Sequence, residues 1–513
     1  MYKSLLSVGL FTLLSRATGF FRDVMLARML GAGVIADAFV VAFRLPNHFR
    51  AIFGEGAFNA AFVPSYARTL EQNGEAAARR FSGDIHALLL ASQIVVLLLA
   101  WAFTPQLVRM LAPGFTDEPA KFALTVTLTR ITFPYLLCVV MVTLHSGVLN
   151  ARRKFAAAAF APVLLNVAMI AALSLAFLFP NAGYAAAYGV LVAGVLELVL
   201  LMVACARQGA LAPLIAPKLT AQVKRFFVVL VPAVIGSAGV QIAIFADTII
   251  GSMLPTGGPS SIYYADRIYQ LPVGVLGVAA GTVLLPEMSR RIASGDEGGA
   301  HYAQNRTMAL TIALAAPFMV AFLTIADLIM SGVFAHGAFS KGDAYASAAV
   351  LAAYGFGLPA VLLIRSAVAS FQARGDTTTP MIISLAAVAL NVALKLALWR
   401  QHGAPALAAA TAAGAWINVS FLYAAALWRG WTDPDAILTK VTISASLAGL
   451  ALAGFAVLAR GPVVAFGARF AGFASVFDLI ALGLAGGALY AALLVIALRA
   501  LGVPLALMRP KRR

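Results

Sequence analysis

The sequence contains few charged residues and few cysteines. Only 11% of its 513 residues are charged, whereas a soluble globular chain carries about 25%, and its mean hydropathy is +0.92. Such a chain cannot cover its surface with polar side chains, so the composition excludes an ordinary soluble protein and predicts many membrane crossings. The two cysteines, Cys138 and Cys205, lie in apolar segments and form no disulfide or metal-binding pattern.

The sequence also lacks the common catalytic motifs. It contains no HExxH, P-loop or GxSxG motif, and its six histidines are scattered. The polar stretches between apolar segments are too short for a catalytic domain outside the membrane. The sequence therefore predicts no enzyme and no metal site. The net charge of +17 does not indicate a nucleic-acid partner, because basic residues collect in the cytoplasmic loops of membrane proteins.

What the sequence does contain is a series of apolar segments. They predict an all-α polytopic membrane protein with about fourteen transmembrane helices. The predicted helices lie near 4–28, 33–55, 84–108, 122–149, 155–179, 184–206, 224–252, 260–288, 306–332, 344–371, 378–400, 404–428, 438–459 and 476–499. With the N-terminus inside, 21 lysines and arginines fall in cytoplasmic segments and 7 on the opposite side. This asymmetry predicts that both termini are cytoplasmic.

A weak internal repeat predicts the domain organisation. The segment 62–68 resembles 284–290, and the segment 165–168 matches 390–393 at nearly the same separation along the chain. A repeat of six helices keeps the same orientation in both copies, so we expect two parallel lobes with the substrate site between them. The predicted parts are a lobe at 1–210, a lobe at 218–430, two additional helices at 436–502 and a basic cytoplasmic tail at 503–513.

Charged residues inside predicted spans mark the candidate site. A charge at the bilayer centre costs roughly 2.5–3.5 kcal/mol on insertion scales, so such residues usually face the bundle interior or a wet cavity. Helices one and two carry Arg16, Arg22, Asp23, Asp37, Arg44, Arg50 and Glu55, and helix eight carries Asp266 and Arg267. The seven-residue spacing predicts that Arg16 pairs with Asp23 and Asp37 with Arg44. Alternatively, the charges only brace the bundle or extend to the interface.

The arginine surplus of this group predicts the type of ligand. Guanidinium groups bind phosphate oxygens with two parallel hydrogen bonds, so a cavity lined by arginines suits a phosphate. Pro46 should kink helix two just before Asn47 and Arg50. Because glycines flank Glu55 on both sides, this segment is suited to a helix break at a gate.

A second group of polar residues lies in helices seven, eleven and twelve. Asp247 and Lys395 form either a fixed buried pair or a site that couples transport to a cation or proton. Asn391 and Thr411 would supply oxygen ligands for a cation. A lysine ammonium would itself occupy a sodium position, so the fixed pair is the favoured interpretation.

Several motifs in these helices resemble the MurJ/MviN family. They are Leu14-Ser15-Arg16, Arg22-Asp23, Ala36-Asp37-Ala38-Phe39, Leu45-Pro46-Asn47, Glu55-Gly56-Ala57-Phe58, Phe62-Val63-Pro64, Tyr263-Tyr264-Ala265-Asp266-Arg267 and Leu271-Pro272. The resemblance covers most of the chain and weakens after about residue 430. It implies a lipid II flippase of the bacterial cytoplasmic membrane that acts in peptidoglycan biosynthesis. Ala51 follows Arg50 at a position where some relatives carry a second arginine. The resemblance therefore does not imply a basic pair at the inner mouth of this protein.

The resemblance implies roles for the charged residues. Arg16, Arg22, Asp37, Arg50 and Arg267 match essential charges of the family and would bind the substrate, the undecaprenyl-pyrophosphate-linked disaccharide-pentapeptide. Asp23, Asn47, Glu55 and Asp266 would belong to the cavity or its gate. We expect a monomer in contact with membrane lipids, without a cofactor, and driven by the membrane potential or a monovalent cation.

Two other classes of protein remain as alternatives. An exporter of another polyprenyl-linked oligosaccharide, or a cation-coupled drug exporter, could use the same scaffold, although a drug exporter would favour carboxylates in its cavity. A polyprenyl-phosphate-dependent glycosyltransferase would need catalytic carboxylates in large outer loops. A purely structural membrane protein leaves the buried arginines unexplained.

Overall fold

The structure is a computed structural model that describes residues 2–52, 58–470 and 473–504. Side chains are described at these positions except at 2–7, 45, 48–52, 233, 235–243 and 278–282. All regular secondary structure in these ranges is helical. The prediction of an all-α polytopic membrane protein is confirmed.

Sixteen α-helices follow one another in the described ranges. They are α1 (Tyr2–Leu30), α2 (Val34–Ile52), α3 (Phe58–Ala102), α4 (Thr104–Leu111), α5 (Pro119–Thr132), α6 (Pro134–Ala151), α7 (Ala156–Ser174), α8 (Ala182–Arg207), α9 (Ala221–Ser252), α10 (Gly258–Ala293), α11 (Glu297–Thr324), α12 (Ala326–Phe334), α13 (Lys341–Gln372), α14 (Thr378–Trp428), α15 (Ala436–Gly467) and α16 (Ala474–Ala500). Short 3-10 helices occupy Pro113–Asp117 and Ala176–Leu178.

Nine helical stretches of the described residues are long and apolar enough to cross a membrane. One of them joins α5 and α6, and another is the whole of α14. The charged helices α1, α2 and α10 are not among the nine. Side chains fix several helix starts: Thr220 caps α9, Ser340 and Asp343 form a capping box on α13, and Asp435 caps α15.

Glycines turn two of the long helices. The backbone is non-helical at Gly74 in α3, with φ +80°, and at Gly403 in α14, with φ +60°. These are left-handed conformations that glycine adopts at little cost. Gly403 falls between the predicted helices 378–400 and 404–428, so α14 corresponds to two of the expected helices.

Two breaks were not predicted from the sequence. The expected helix 84–108 is interrupted at Phe103, and the expected helix 306–332 at Ile325. The short helices that follow, α4 and α12, begin at Thr104 and Ala326. Their separation along the chain equals that between the matching segments 62–68 and 284–290, so the repeat seen in the sequence recurs in the order of the helices.

The chain divides into two compact units. The first comprises residues 1–260 and 337–339, and the second comprises 261–336 and 340–513. In the first unit, the rings of Phe58, Phe62, Phe81 and Phe226 form a buried aromatic core that joins α3 to α9. In the second unit, buried apolar residues join α11, α13, α14 and α15. The lobe boundaries 1–210 and 218–430 remain a prediction, as do the additional helices 436–502 and the tail 503–513.

Candidate functional site

Among the acidic side chains of the predicted site that the structure describes, Asp37 is the most completely buried. It lies in the first turn of α2, where a carboxylate is favoured by the helix dipole, and its exposed fraction is 0%. Its Oδ2 accepts a hydrogen bond from Gly257 N at 2.8 Å, and its Oδ1 accepts from Ser260 N at 2.9 Å and Ser260 Oγ at 2.7 Å. Asp37 therefore holds the turn that begins α10.

The cationic partner of Asp37 is Lys121 in the first turn of α5. Lys121 Nζ lies 3.0 Å from Asp37 Oδ2, and its side chain is 1% exposed. The ammonium also donates to Thr256 Oγ1 at 3.0 Å and to Glu118 Oε1 at 3.4 Å, and it lies 4.3 Å from the centre of the Phe115 ring. A buried ion pair is stable only when further hydrogen bonds satisfy both charged groups. The contacts of Asp37 and Lys121 meet this requirement.

Close backbone approaches surround this pair. Gly257 has φ +93°, and a Cβ placed there would lie 2.9 Å from the carbonyl oxygen of Ala32. Gly31, with φ +65°, would bring a Cβ to 2.6 Å from the carbonyl oxygen of Ala338. Since neither position has room for a side chain, the turns at both ends of this region require glycine. Ala338 also donates its N–H to Arg28 O at 2.8 Å.

A second buried cluster links α1 to α7. Arg22 donates to Asp23 Oδ1 through Nε at 3.0 Å and Nη2 at 2.7 Å, and through Nη1 to Asn166 Oδ1 at 2.9 Å. Asn166 in turn donates through Nδ2 to Ser15 O at 2.9 Å and to Thr18 Oγ1 at 3.0 Å. The amide of Asn166 therefore fixes both the backbone of α1 and the direction of the Arg22 guanidinium.

Both predicted ion pairs within helices one and two are wrong. Asp23 pairs with its neighbour Arg22 rather than with Arg16, and Asp37 pairs with Lys121 rather than with Arg44. Arg44 instead donates through Nη1 to Thr248 Oγ1 of α9 at 3.0 Å. The seven-residue spacing places two side chains on the same helix face, but neighbouring helices supply the better partners.

In the second unit, Asp266 and Arg267 form an adjacent pair on α10. Arg267 Nη2 lies 3.0 Å from Asp266 Oδ2, and its guanidinium lies 4.9 Å from the centre of the Tyr263 ring. The side chain of Arg267 is 36% exposed and that of Asp266 is 26% exposed. Gln270 donates to the other carboxylate oxygen of Asp266 at 3.2 Å. The Arg267 side chain is thus oriented by its neighbours and is more than a third exposed, although its Nε is buried.

The structure describes only some of the remaining predicted site residues. Arg16 is exposed on α1, and Asn47 is half-buried on α2, just after Pro46. The side chain of Arg50 and the whole of Glu55 lie outside the described residues. The predicted helix break at Glu55 lies there too.

The predicted coupling residues belong to different units. Asp247 is half-buried in the first unit, whereas Lys395, 1% exposed, lies in the second unit with Asn391 and Thr411. Asn391 Oδ1 is buried and accepts no hydrogen bond from the described residues. Thr411 donates to the carbonyl oxygen of Leu407 at 3.0 Å.

Two residues of these clusters were missed by the analysis of the sequence. The sequence places Lys121 on the outer side, between the predicted helices 84–108 and 122–149, and marks Asn166 only as part of the repeat. The signal for Lys121 was the carboxylate of Asp37, which must find a cation when it is buried. The identity of that cation does not follow from the sequence, because Lys121 lies beyond a further predicted helix, 84–108, and other lysines and arginines could equally have served.

Solved structures with the same fold include transporters. The chain is similar to "Lipid II flippase MurJ, inward closed conformation", with a TM-score of 0.80, 24% identity, and coverage of 96% of this chain and 99% of that one. It is also similar to an inward-facing multidrug resistance MATE family transporter of the MOP superfamily, with a TM-score of 0.66, 14% identity, and coverage of 81% and 94%. At these identities, the similarity shows the fold alone.

The family is shown by the sequence comparisons. A family model described as lipid II flippase MurJ matches residues 26–471. A probable lipid II flippase MurJ of Rhizobium meliloti (strain 1021) is 41% identical over 461 residues, covering 88% of this chain and 86% of the relative. The lipid II flippase MurJ of Burkholderia cenocepacia is 34% identical, with coverage of 88% and 89%. The chain belongs to the lipid II flippase MurJ family.

Proposed function

We propose that this protein moves lipid II from the inner to the outer leaflet of the bacterial cytoplasmic membrane by alternating access. The observation that carries the proposal is the match of the family over residues 26–471. The protein is a multi-pass membrane transporter rather than an enzyme, and lipid II is its substrate. The family membership gives no support to a drug exporter or to an exporter of another oligosaccharide.

The substrate carries a pyrophosphate, which calls for accessible cationic donors. Arg16 and Arg267 fit this role because the side chain of Arg16 is exposed and that of Arg267 is 36% exposed. The side chain of Arg22 is only 10% exposed, so it would reach the pyrophosphate by exchanging its bonds to Asp23 and Asn166. In this proposal, Arg50, Asn47, Glu55 and Asp266 serve the inner mouth and the cavity wall.

Asp37 has a different role in this proposal. Its carboxylate is fully buried and bonded to Lys121 and to the turn that contains Gly257 and Ser260. This turn leads the chain from the first unit into the second, whose first residue is Ser261. We therefore propose that Asp37 fixes the point where the chain passes between units, and that this attachment changes when the transporter opens outward.

The polyprenyl tail needs an apolar path, because it stays in the lipid while the headgroup crosses. A cavity of about 640 Å³ in the second unit is lined almost wholly by apolar side chains of α11, α13, α14 and α15, including Phe356 and Trp416. This cavity supports a tail-binding region beside the predicted additional helices. The protein would act as a monomer, with both termini in the cytoplasm.

Energy for the cycle is proposed to come from the membrane potential or from a monovalent cation. A potential of 100 mV is worth about 2.3 kcal/mol per charge, so the arginine-rich cavity would respond to it when empty. For a cation, the buried Oδ1 of Asn391 would be a ligand, because it accepts no hydrogen bond from the described residues. Thr411 of the same unit would supply a second oxygen, whereas the ammonium of Lys395 would replace the cation.

Depletion of the protein in living cells tests the function. Lipid II in the outer leaflet is measured by its cleavage with an added toxin that does not cross the membrane. We expect cleavage to fall while total lipid II rises, because the substrate accumulates on the inner side. Unchanged cleavage would show that the protein does not carry lipid II under those conditions.

Alanine variants then test the arginines. Arg16→Ala and Arg267→Ala should fail to restore cleavage although the folded protein is present in the membrane, because each removes an accessible phosphate donor. Arg130→Ala is the matched control, since Arg130 is exposed at the end of α5 and should restore cleavage. Full restoration by Arg16→Ala would remove that residue from the site.

A further inference from the structure

A cavity of about 630 Å³ lies in the first unit, away from the charged residues described above. It is bounded by the last turn of α6, the first turn of α7 and the last two turns of α8. Its apolar wall is formed by Leu149, Phe155, Ala157, Leu200 and Val203. Because α7 and α8 are candidate spans, the cavity lies at the start of one candidate span and the end of another.

Three basic side chains, Arg153, Lys154 and Arg207, line the same cavity. All three are exposed, and no carboxylate of the described residues pairs with any of them. The neighbouring Arg152 does not line the cavity and has its own partners, because it donates to Glu75 Oε2 at 3.1 Å, to Gln208 O at 3.2 Å and to the Tyr66 hydroxyl at 3.3 Å. The chain therefore places three uncompensated charges around one apolar cavity.

The conformation of Arg153 brings its guanidinium to this place. Its φ is +59°, which makes it the one non-glycine residue with positive φ in the described backbone. A glycine usually occupies such a position after a helix. Arg153 N donates to Asn150 O at 3.0 Å and Lys154 N to Leu149 O at 2.8 Å, so the turn directly ends α6. Arginine is thus present where the backbone favours glycine.

We propose that this cavity binds the headgroup of an anionic phospholipid, with its acyl chains along the apolar wall. The three cations complement a lipid phosphate, and basic pockets between helix ends are suited to acidic lipid headgroups. Val203 is 45% exposed and Phe155 is 38% exposed, so the apolar wall is open to acyl chains. The positive-inside prediction places all three cations on the cytoplasmic side, where an anionic leaflet attracts them.

The test compares lipid retention by the purified, delipidated full-length protein. Native mass spectrometry measures binding of phosphatidylglycerol and phosphatidylcholine with identical chains, added in equal amounts. The cavity variant is Arg153→Gly, Lys154→Gln and Arg207→Gln. Glycine at 153 suits the left-handed backbone, so this change removes a cation without straining the fold. The control variant is Arg68→Gln, Arg79→Gln and Lys224→Gln, three exposed basic residues of the first unit outside the cavity.

We expect wild type and the control variant to retain phosphatidylglycerol preferentially. Each cation near a lipid phosphate contributes about fivefold in affinity, so the cavity variant should lose roughly 100-fold. Equal binding of both lipids by wild type would overturn the proposal, and so would an unchanged preference in the cavity variant. Lipid II is added in a separate sample of each variant. If lipid II binding depends on the three cations and phosphatidylglycerol binding does not, the cavity serves the transported substrate, and the phospholipid proposal is wrong.

Discussion

Single residues decide which charges the first unit exposes and which it buries. Arg16 and Arg22 lie less than two turns apart on α1, yet Arg16 is exposed while Arg22 is bonded to Asp23 and Asn166. Asp37 likewise is bound to Lys121 and offers no accessible oxygen. A charge within a membrane helix is therefore not by itself evidence of substrate contact.

The pair of Asp37 and Lys121 gives a prediction at this scale. Lys121→Met should lower the stability of the purified protein by about 3–5 kcal/mol, because it leaves a buried carboxylate without its cation. The double variant Asp37→Asn and Lys121→Met should recover much of that loss, since Asn removes the charge and keeps an acceptor for Gly257 N. Size-exclusion chromatography of samples heated to increasing temperatures measures the loss of stability in the single variant and its recovery in the double variant.

The matched control for this pair is Lys341→Met. Lys341 is an exposed lysine at the start of α13, and its removal should leave the stability unchanged. Equal stability of Lys121→Met and Lys341→Met would contradict the assignment of Lys121 as the partner that balances Asp37. Flippase activity of the double variant would show that the pair serves structure alone.

At the scale of elements, the non-helical turn at Gly403 brings the two ends of α14 close together. Asp376, just before the helix, accepts hydrogen bonds from Thr379 N at 2.9 Å and from Arg429 Nη1 at 2.6 Å, and Arg429 follows the last residue of the helix. The hydrogen bond from Thr379 N, with the Thr379 side chain and Arg429, lowers the pKa of Asp376 from 3.8 to about 2. The ionised carboxylate thus closes a loop of 53 residues.

This lowered pKa predicts a pH dependence. A carboxyl group with a lower pKa in the folded state stabilises the fold above its unfolded pKa, and this contribution is lost as the pH falls through the folded value. The melting temperature of wild type should therefore fall more between pH 5 and about pH 2 than that of Asp376→Asn, which cannot titrate. Parallel pH curves for the two proteins would show that the contact adds no measurable stability.

At the scale of the whole molecule, the chain passes repeatedly between its two compact units. Besides the passage at Ser260, the segment Gly337–Phe339 belongs to the first unit although the second unit precedes and follows it. Its Gly337 has φ +67°, and a Cβ there would lie 2.5 Å from Arg28 O. The boundaries of the two compact units therefore differ from those of the two repeats in the sequence.

Membrane orientation is the prediction that belongs to this scale. The distribution of basic residues places Thr116 outside and Ser294 in the cytoplasm. A membrane-impermeant maleimide should label Thr116→Cys in intact cells and Ser294→Cys only after permeabilisation, because both positions are exposed. The native Cys138 and Cys205 are buried and give little background. Labelling of Ser294→Cys in intact cells would reverse the orientation.

The sequence by itself determined the class of the protein, the approximate positions of its helices and its family. Hydropathy and the scarcity of charge suffice for the first two, because each span must be apolar over its own length. The motifs around Arg16, Asp37 and Arg267 suffice for the family. These properties depend on residues that are close together in the chain.

Only the tertiary structure decided which charges pair. The partners of Asp37 lie outside α2 and far along the chain, at Lys121, Gly257 and Ser260. The amide of Asn166 that holds Arg22 is also remote in sequence. Helical spacing predicted Asp37 with Arg44 because it orders side chains along a single helix, whereas the energy of a buried charge depends on all neighbouring helices. The break at Phe103 has a local signal in Pro105, which is favoured at a helix start and disrupts a helix interior. The break at Ile325 has neither proline nor glycine beside it, so it became visible only in the fold.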